Sequence, residues 1–114
     1  AEAEVRVLAS RALLMELVAE LWRQVLNEEH ITTRERAIFQ IACSDAVRGC
    51  VEAVDLVSDA AGTSANFQSH PLERIGRDVR AVRQHITVAG LHMEDGGRVL
   101  LGMPPEGAML TRLS

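Results

Sequence analysis

Residues 71–86 read PLERIGRDVRAVRQHI, and the apolar members Leu72, Ile75, Val79, Val82 and Ile86 recur at alternating steps of three and four with charges between them. That spacing puts one apolar stripe on a helix and leaves the opposite side charged. Pro71 suits the first helical position, where its missing N–H would have had no partner. Gly76 inside the pattern costs roughly 1 kcal/mol relative to Ala, so it marks a place where another backbone comes close.

Upstream, residues 62–70 form a polar loop, and the segment before it predicts a helix from about Thr33 to Ala61. Its apolar set is Ile38, Ile41, Ala42, Ala46, Cys50, Val54 and Val57, with small residues that permit close packing. Thr32 and Glu35 have the spacing of a capping box at its start, and Gly62 is placed to end it in the left-handed region. Further upstream, Val5, Leu8, Ala12, Met15, Val18, Leu21 and Val25 predict one long helix over Glu2–Leu26. Leu13, Leu14, Leu17 and Trp22 widen its stripe beyond what one neighbour covers, so it is expected to be an inner helix touching two. Downstream, Ala89–Leu101 predicts a weaker fourth helix interrupted by Gly96-Gly97, and Pro104-Pro105 ends regular structure. The expected architecture is all-α, an antiparallel up-and-down four-helix bundle joined by short loops.

A chain of 114 residues with 47% hydrophobic and 25% charged residues has the size and composition of one globular domain. Its formal charge of −4 is mixed in sign and lacks the basic excess that nucleic acid requires. No apolar run reaches the roughly 18 residues of a membrane span, and no secretory signal opens the chain, so a cytoplasmic setting is the expectation. Cys43 and Cys50, seven residues apart on one predicted helix, stand about 10 Å apart along its axis. A disulfide needs Cα atoms within about 7 Å, so both are read as structural thiols.

Three places could carry chemistry. The loop segment Gly62-Thr63-Ser64 combines a small residue with two hydroxyls at a helix end, where exposed backbone N–H groups can cradle a phosphate. A helix cap followed by a polar turn explains the same residues. On the third helix, Glu73 with Arg77 and Arg74 with Asp78 are spaced for ion pairs, and read alone they form a solvated or interfacial face. His85 borders the apolar stripe, so it is either a satisfied core residue or an acid/base poised near neutrality. His30, His70 and His92 lie in or near turns and are expected to be solvated or capping. No pair of histidines has the spacing of a helix-borne metal site.

The stretch from Asp55 through Gly62, the motif Pro71-Leu72-Glu73-Arg74 with Arg77-Asp78, then Gln84-His85, Gly97-Arg98 and Leu100-Leu101-Gly102, resembles the C-terminal part of the acyl-CoA dehydrogenase superfamily. The resemblance runs over essentially the whole chain, and its most specific part is Pro-x-Glu-Arg-x-x-Arg-Asp followed six residues later by Gln84. It implies that residues 1–114 are a C-terminal helical-bundle domain whose N-terminal helical and middle β domains lie elsewhere in a longer enzyme. The implied cofactor is a flavin, FAD or FMN, held partly by the Gly62, Thr63 and Ser64 loop of a neighbouring subunit.

Two positions choose a branch. Many dehydrogenases of this superfamily follow the Gln with a stretch whose Glu removes the substrate α-proton, and in that register the Glu position is Thr87, which cannot act as that base. The monooxygenase branch, which includes two-component hydroxylases, places a His where His85 stands. The implied role is hydrogen bonding to the substrate or to the oxygenated flavin. Departures from the pattern are Asp59 where a Gln is usual, Gly76 in place of a bulkier residue and Met93 in place of an aromatic. The resemblance therefore implies monooxygenation of a small-molecule substrate by reduced flavin and oxygen, with a separate flavin reductase and a homotetramer formed by self-association. The alternatives are an acyl-CoA dehydrogenase and a non-catalytic helical interaction module.

Overall fold

A computed structural model of the chain describes residues 1–85 and 88–111. Every regular element among them is helical: α1 (Glu2–Leu26), α2 (Thr33–Ala61), a 3-10 turn (Gly62–Asn66), α3 (Pro71–Arg83), α4 (Leu91–Leu100) and a single-turn α5 (Ala108–Thr111). The all-α expectation holds, and local side chains account for the boundaries. Thr32 Oγ1 accepts a hydrogen bond from Glu35 N at 3.1 Å while the Glu35 carboxylate accepts from Thr32 N at 2.8 Å, which completes the expected capping box. His70 caps α3, its Nδ1 accepting from Leu72 N at 3.2 Å just ahead of Pro71. Gly62 does end α2, at φ 71° and ψ −152°. That is an extended region that only glycine enters readily, not the left-handed helical cap expected.

Packing departs further from the expected bundle. Along α1, Arg6 pairs with Glu52 at 2.6 Å, Ser10 meets Gly49, and Gln24 donates to Glu35 at 2.7 Å. Partner numbers fall as α1 numbers rise, so α1 and α2 are antiparallel. On another face of α2, Gly76 lies against Val54, Ser44 donates to the Ala89 carbonyl, and Gly96 lies against Ile41 and the Ala37 carbonyl. Partner numbers again fall, so both α3 and α4 run antiparallel to α2. The fourth helix therefore continues the direction of the third, end to end, where an up-and-down bundle requires it to reverse.

Among the described residues, α1, α3 and α4 each pack on α2 and not on one another. The inner helix is α2. Its buried positions Ala37, Gln40, Ala42, Ser44, Gly49, Val51 and Ala53 are mostly small, which lets neighbours approach it from more than one side. A Cβ added at Gly96 would lie 2.5 Å from Ile41 Cγ1, so α4 approaches α2 too closely for any larger residue there. By contrast α1, expected to be inner, is the outer helix. Gln24 is its one buried residue, and Val5, Leu8, Met15, Trp22, Val25 and Leu26 are each more than half exposed. The long α2 and the in-line α3 and α4 give an elongated body of 50 × 27 × 22 Å.

Regular structure does not end at Pro104-Pro105. Asp95 Oδ1 accepts from Glu106 N at 2.7 Å and Arg98 pairs with the Glu106 carboxylate at 2.9 Å, folding the tail back so that Leu110 on α5 is 2% exposed. His92, expected to be solvated or capping, is instead buried on α4, as is Asp95.

The capping box carries a testable pH dependence. The Glu35 carboxyl is held below the usual range, first by the Thr32 backbone N–H, then by the Gln24 amide and the Thr32 hydroxyl. A depressed folded-state value means that this contribution is complete above the unfolded value and is lost as pH falls through the folded one. Glu35→Gln is therefore expected to lower the urea midpoint at neutral pH, with the gap closing as pH drops below about 4. A gap that is constant across that range would contradict it.

Candidate functional site

The two sequence-predicted elements sit at opposite ends of α3. Gly62, Thr63 and Ser64 form the 3-10 turn that precedes α3, and all three are exposed. The Gly62 N–H is already given to the Asp59 and Ser58 carbonyls, and Ser64 Oγ donates to the Ala61 carbonyl at 3.0 Å. The Thr63 hydroxyl and the open space beside Gly62, where an added Cβ would meet nothing within 4 Å, are what the turn offers to a ligand. A backbone cradle that used the Gly62 N–H is not available.

His85 lies two residues beyond α3, after its C-cap Gln84. Its backbone N donates to the Val82 carbonyl at 2.9 Å and its carbonyl accepts from Val88 N at 3.0 Å. The residue is exposed rather than in the core of this chain. The 13 residues of α3 put roughly 20 Å between His85 and the Gly62 turn. One chain does not bring them together. Thr87, read at the position of the dehydrogenase base, lies outside the described residues.

Beside the turn, a polar hollow of about 550 Å³ is lined by Asp55, Ser58, Asp59, Asn66, Glu73, Arg77 and Arg80, among others. Both expected pairs on α3 form, Arg77 with Glu73 at 2.7 Å and Arg74 with Asp78 at 3.8 Å. Sequence reading missed the ion pair that joins Arg80 to Asp55 across α2 and α3. Arg80 also reaches the Gly76 carbonyl at 3.2 Å, and an added Cβ at Gly76 would lie 2.9 Å from the same guanidinium. Gly76 therefore makes room for a side chain rather than for another backbone. Asp59, the departure noted above, stands in the same hollow, whose two guanidiniums already pair with Glu73 and Asp55, so they do not offset the repulsion its carboxylate would exert on a phosphate.

A second hollow, of about 610 Å³, runs between α1 and α3 over α2 and is almost wholly apolar, with Val7, Leu8, Val54, Val57, Ile75 and Val79 among its walls. Cys50 borders it and Cys43 is half-buried; both are free thiols, and burial pushes the Cys43 thiol up, away from reactive thiolate. Among the described residues no group of His, Cys, Asp or Glu could hold a metal ion. Nor, among them, is any helix long and apolar enough to cross a membrane.

The family model described as Acyl-CoA dehydrogenase, C-terminal domain, matches residues 1–89, and the chain belongs to that family. Over 111 residues, 96% of its length, it is also 31% identical to the p-hydroxyphenylacetate 3-hydroxylase, oxygenase component, of Acinetobacter baumannii. It covers 26% of that protein, so the chain spans about a quarter of the length of the relative it matches.

Proposed function

We propose that the chain is the C-terminal domain of a flavin-dependent monooxygenase that uses reduced flavin and oxygen on a small-molecule substrate. The observation that carries this reading is the exposed His85 at the end of α3, in a chain similar over nearly its whole length to a hydroxylase oxygenase component. When bound, the flavin would supply the oxygen-activating chemistry. His85 would hold a hydrogen bond at the reacting end, and its ring can give or take a proton near neutral pH. Thr63 and the open side of the turn at Gly62 would meet the flavin at a separate point, with Ser64 fixing the turn through Ala61.

The roughly 20 Å between these two elements supports a pocket shared between subunits, in which His85 of one copy and the Gly62 turn of another serve the same flavin. A homotetramer built partly on the uncovered α1 face is the assembly we propose, with FAD and FMN both compatible. A relative named as an oxygenase component supports a separate reductase as partner. The second reading is an acyl-CoA dehydrogenase, favoured by the description of the family itself.

The two readings separate in the complete protein. Reduced flavin with oxygen is expected to be consumed in the presence of a phenolic acid, whereas an acyl thioester added without oxygen is expected to leave oxidised flavin unbleached. Bleaching by the thioester would establish the dehydrogenase. The isolated chain is expected to turn over nothing in either assay.

A further inference from the structure

We infer that Ser44 is a positioning residue for His85, an inference that rests on the reading of His85 given above. Ser44 is 5% exposed on α2, and its Oγ donates to the Ala89 carbonyl at 3.2 Å. A serine inside a helix ordinarily returns its hydroxyl to a carbonyl of its own preceding turn. Here the donor is spent on a carbonyl 45 residues away in sequence. Alanine would fill the same place on a helix that buries Ala37, Ala42 and Ala53, so packing alone does not call for the hydroxyl.

The bonded carbonyl sits at a junction. Ala89 O also accepts from His92 N at 3.1 Å, which opens the first turn of α4, while on the other side Val88 N donates to the His85 carbonyl at 3.0 Å. The anchor is thus four residues from His85. Further along α4, Gly96 rests on Ile41 and on the Ala37 carbonyl, on the two turns of α2 before Ser44. Two fixed points roughly 5 to 10 Å apart along α2, one from close packing and one from the Ser44 hydroxyl, set where α4 begins. Val88, next to the anchored Ala89, donates its N–H to the His85 carbonyl, so where α4 begins bears on where His85 stands. Misplacing a reacting group by about 1 Å can cost as much as 10²-fold in rate.

The test uses the complete protein and reads two quantities: hydrogen exchange in the peptide carrying residues 85–92, and the ratio of hydroxylated product to peroxide. Ser44→Ala is expected to speed exchange at Val88 and His92 and to lower the ratio about tenfold, with the hydroxyl-bearing Ser44→Thr restoring both. Ala53→Gly, also on α2 but away from this junction, is expected to lower thermal stability and leave the ratio unchanged. Unchanged exchange in Ser44→Ala would overturn the inference. So would faster exchange with an unchanged ratio when His85→Asn lowers it, and in that case the role of His85 itself would stand. If both variants leave the ratio unchanged, the reading of His85 fails and the positioning role falls with it.

Discussion

In the complete enzyme, His85→Asn is expected to leave folding and flavin affinity intact while product formation falls about 10²-fold or more, the range for loss of a positioned acid/base. Peroxide release is expected to rise as product falls, because oxygen is still consumed. The structure gives a reason to expect little change in stability. His85 is exposed, and the backbone bonds from its N–H to Val82 and from Val88 to its carbonyl do not depend on its side chain. Substitutions at such surface positions usually stay within about 0.5 kcal/mol. Thermal stability measured beside the product-to-peroxide ratio decides the matter, and lowered stability with an unchanged ratio would remove His85 from the chemistry.

The second large effect is on assembly. Val5, Leu8, Met15, Trp22, Val25 and Leu26 are 53–66% exposed on the outer helix, a contiguous apolar face that a small soluble unit seldom leaves open. Light scattering at tens of micromolar is expected to find the chain as a dimer or larger. Met15→Glu, which would place an unpaired carboxylate in the middle of that face, is expected to cost on the order of 3 kcal/mol of association, or about 10²-fold in Kd. A chain that is already monomeric, or a variant that associates as well as the parent, would contradict a shared core built on α1.

Helix content was legible because its causes are local. The three- and four-residue spacing of apolar residues, the Thr32–Glu35 box, Pro71 and Gly62 each act within one turn of helix, and each lies where the sequence puts it. Ion pairs within α3 were legible for the same reason. What sequence could not supply was register between helices. The reversal expected between the third and fourth helices depends on which residue of α2 faces Ala89 and Gly96, and those contacts span 45 residues or more. The same ignorance made the wide stripe of α1 read as inner, since an apolar face looks alike whether the chain's own helices cover it or another copy does. Arg80 with Asp55, and Ser44 with Ala89, escaped notice because neither pair has any short-range spacing to betray it. The Gly62 turn was legible as a loop, but not the use of its N–H within α2.

Oxygen labelling tests the monooxygenase reading most directly. The complete protein, supplied with reduced flavin, an aromatic acid and 18O2, is expected to yield a product carrying one labelled oxygen atom, with none acquired from labelled water. A product that forms equally well without oxygen, or whose new oxygen comes from water, would contradict it.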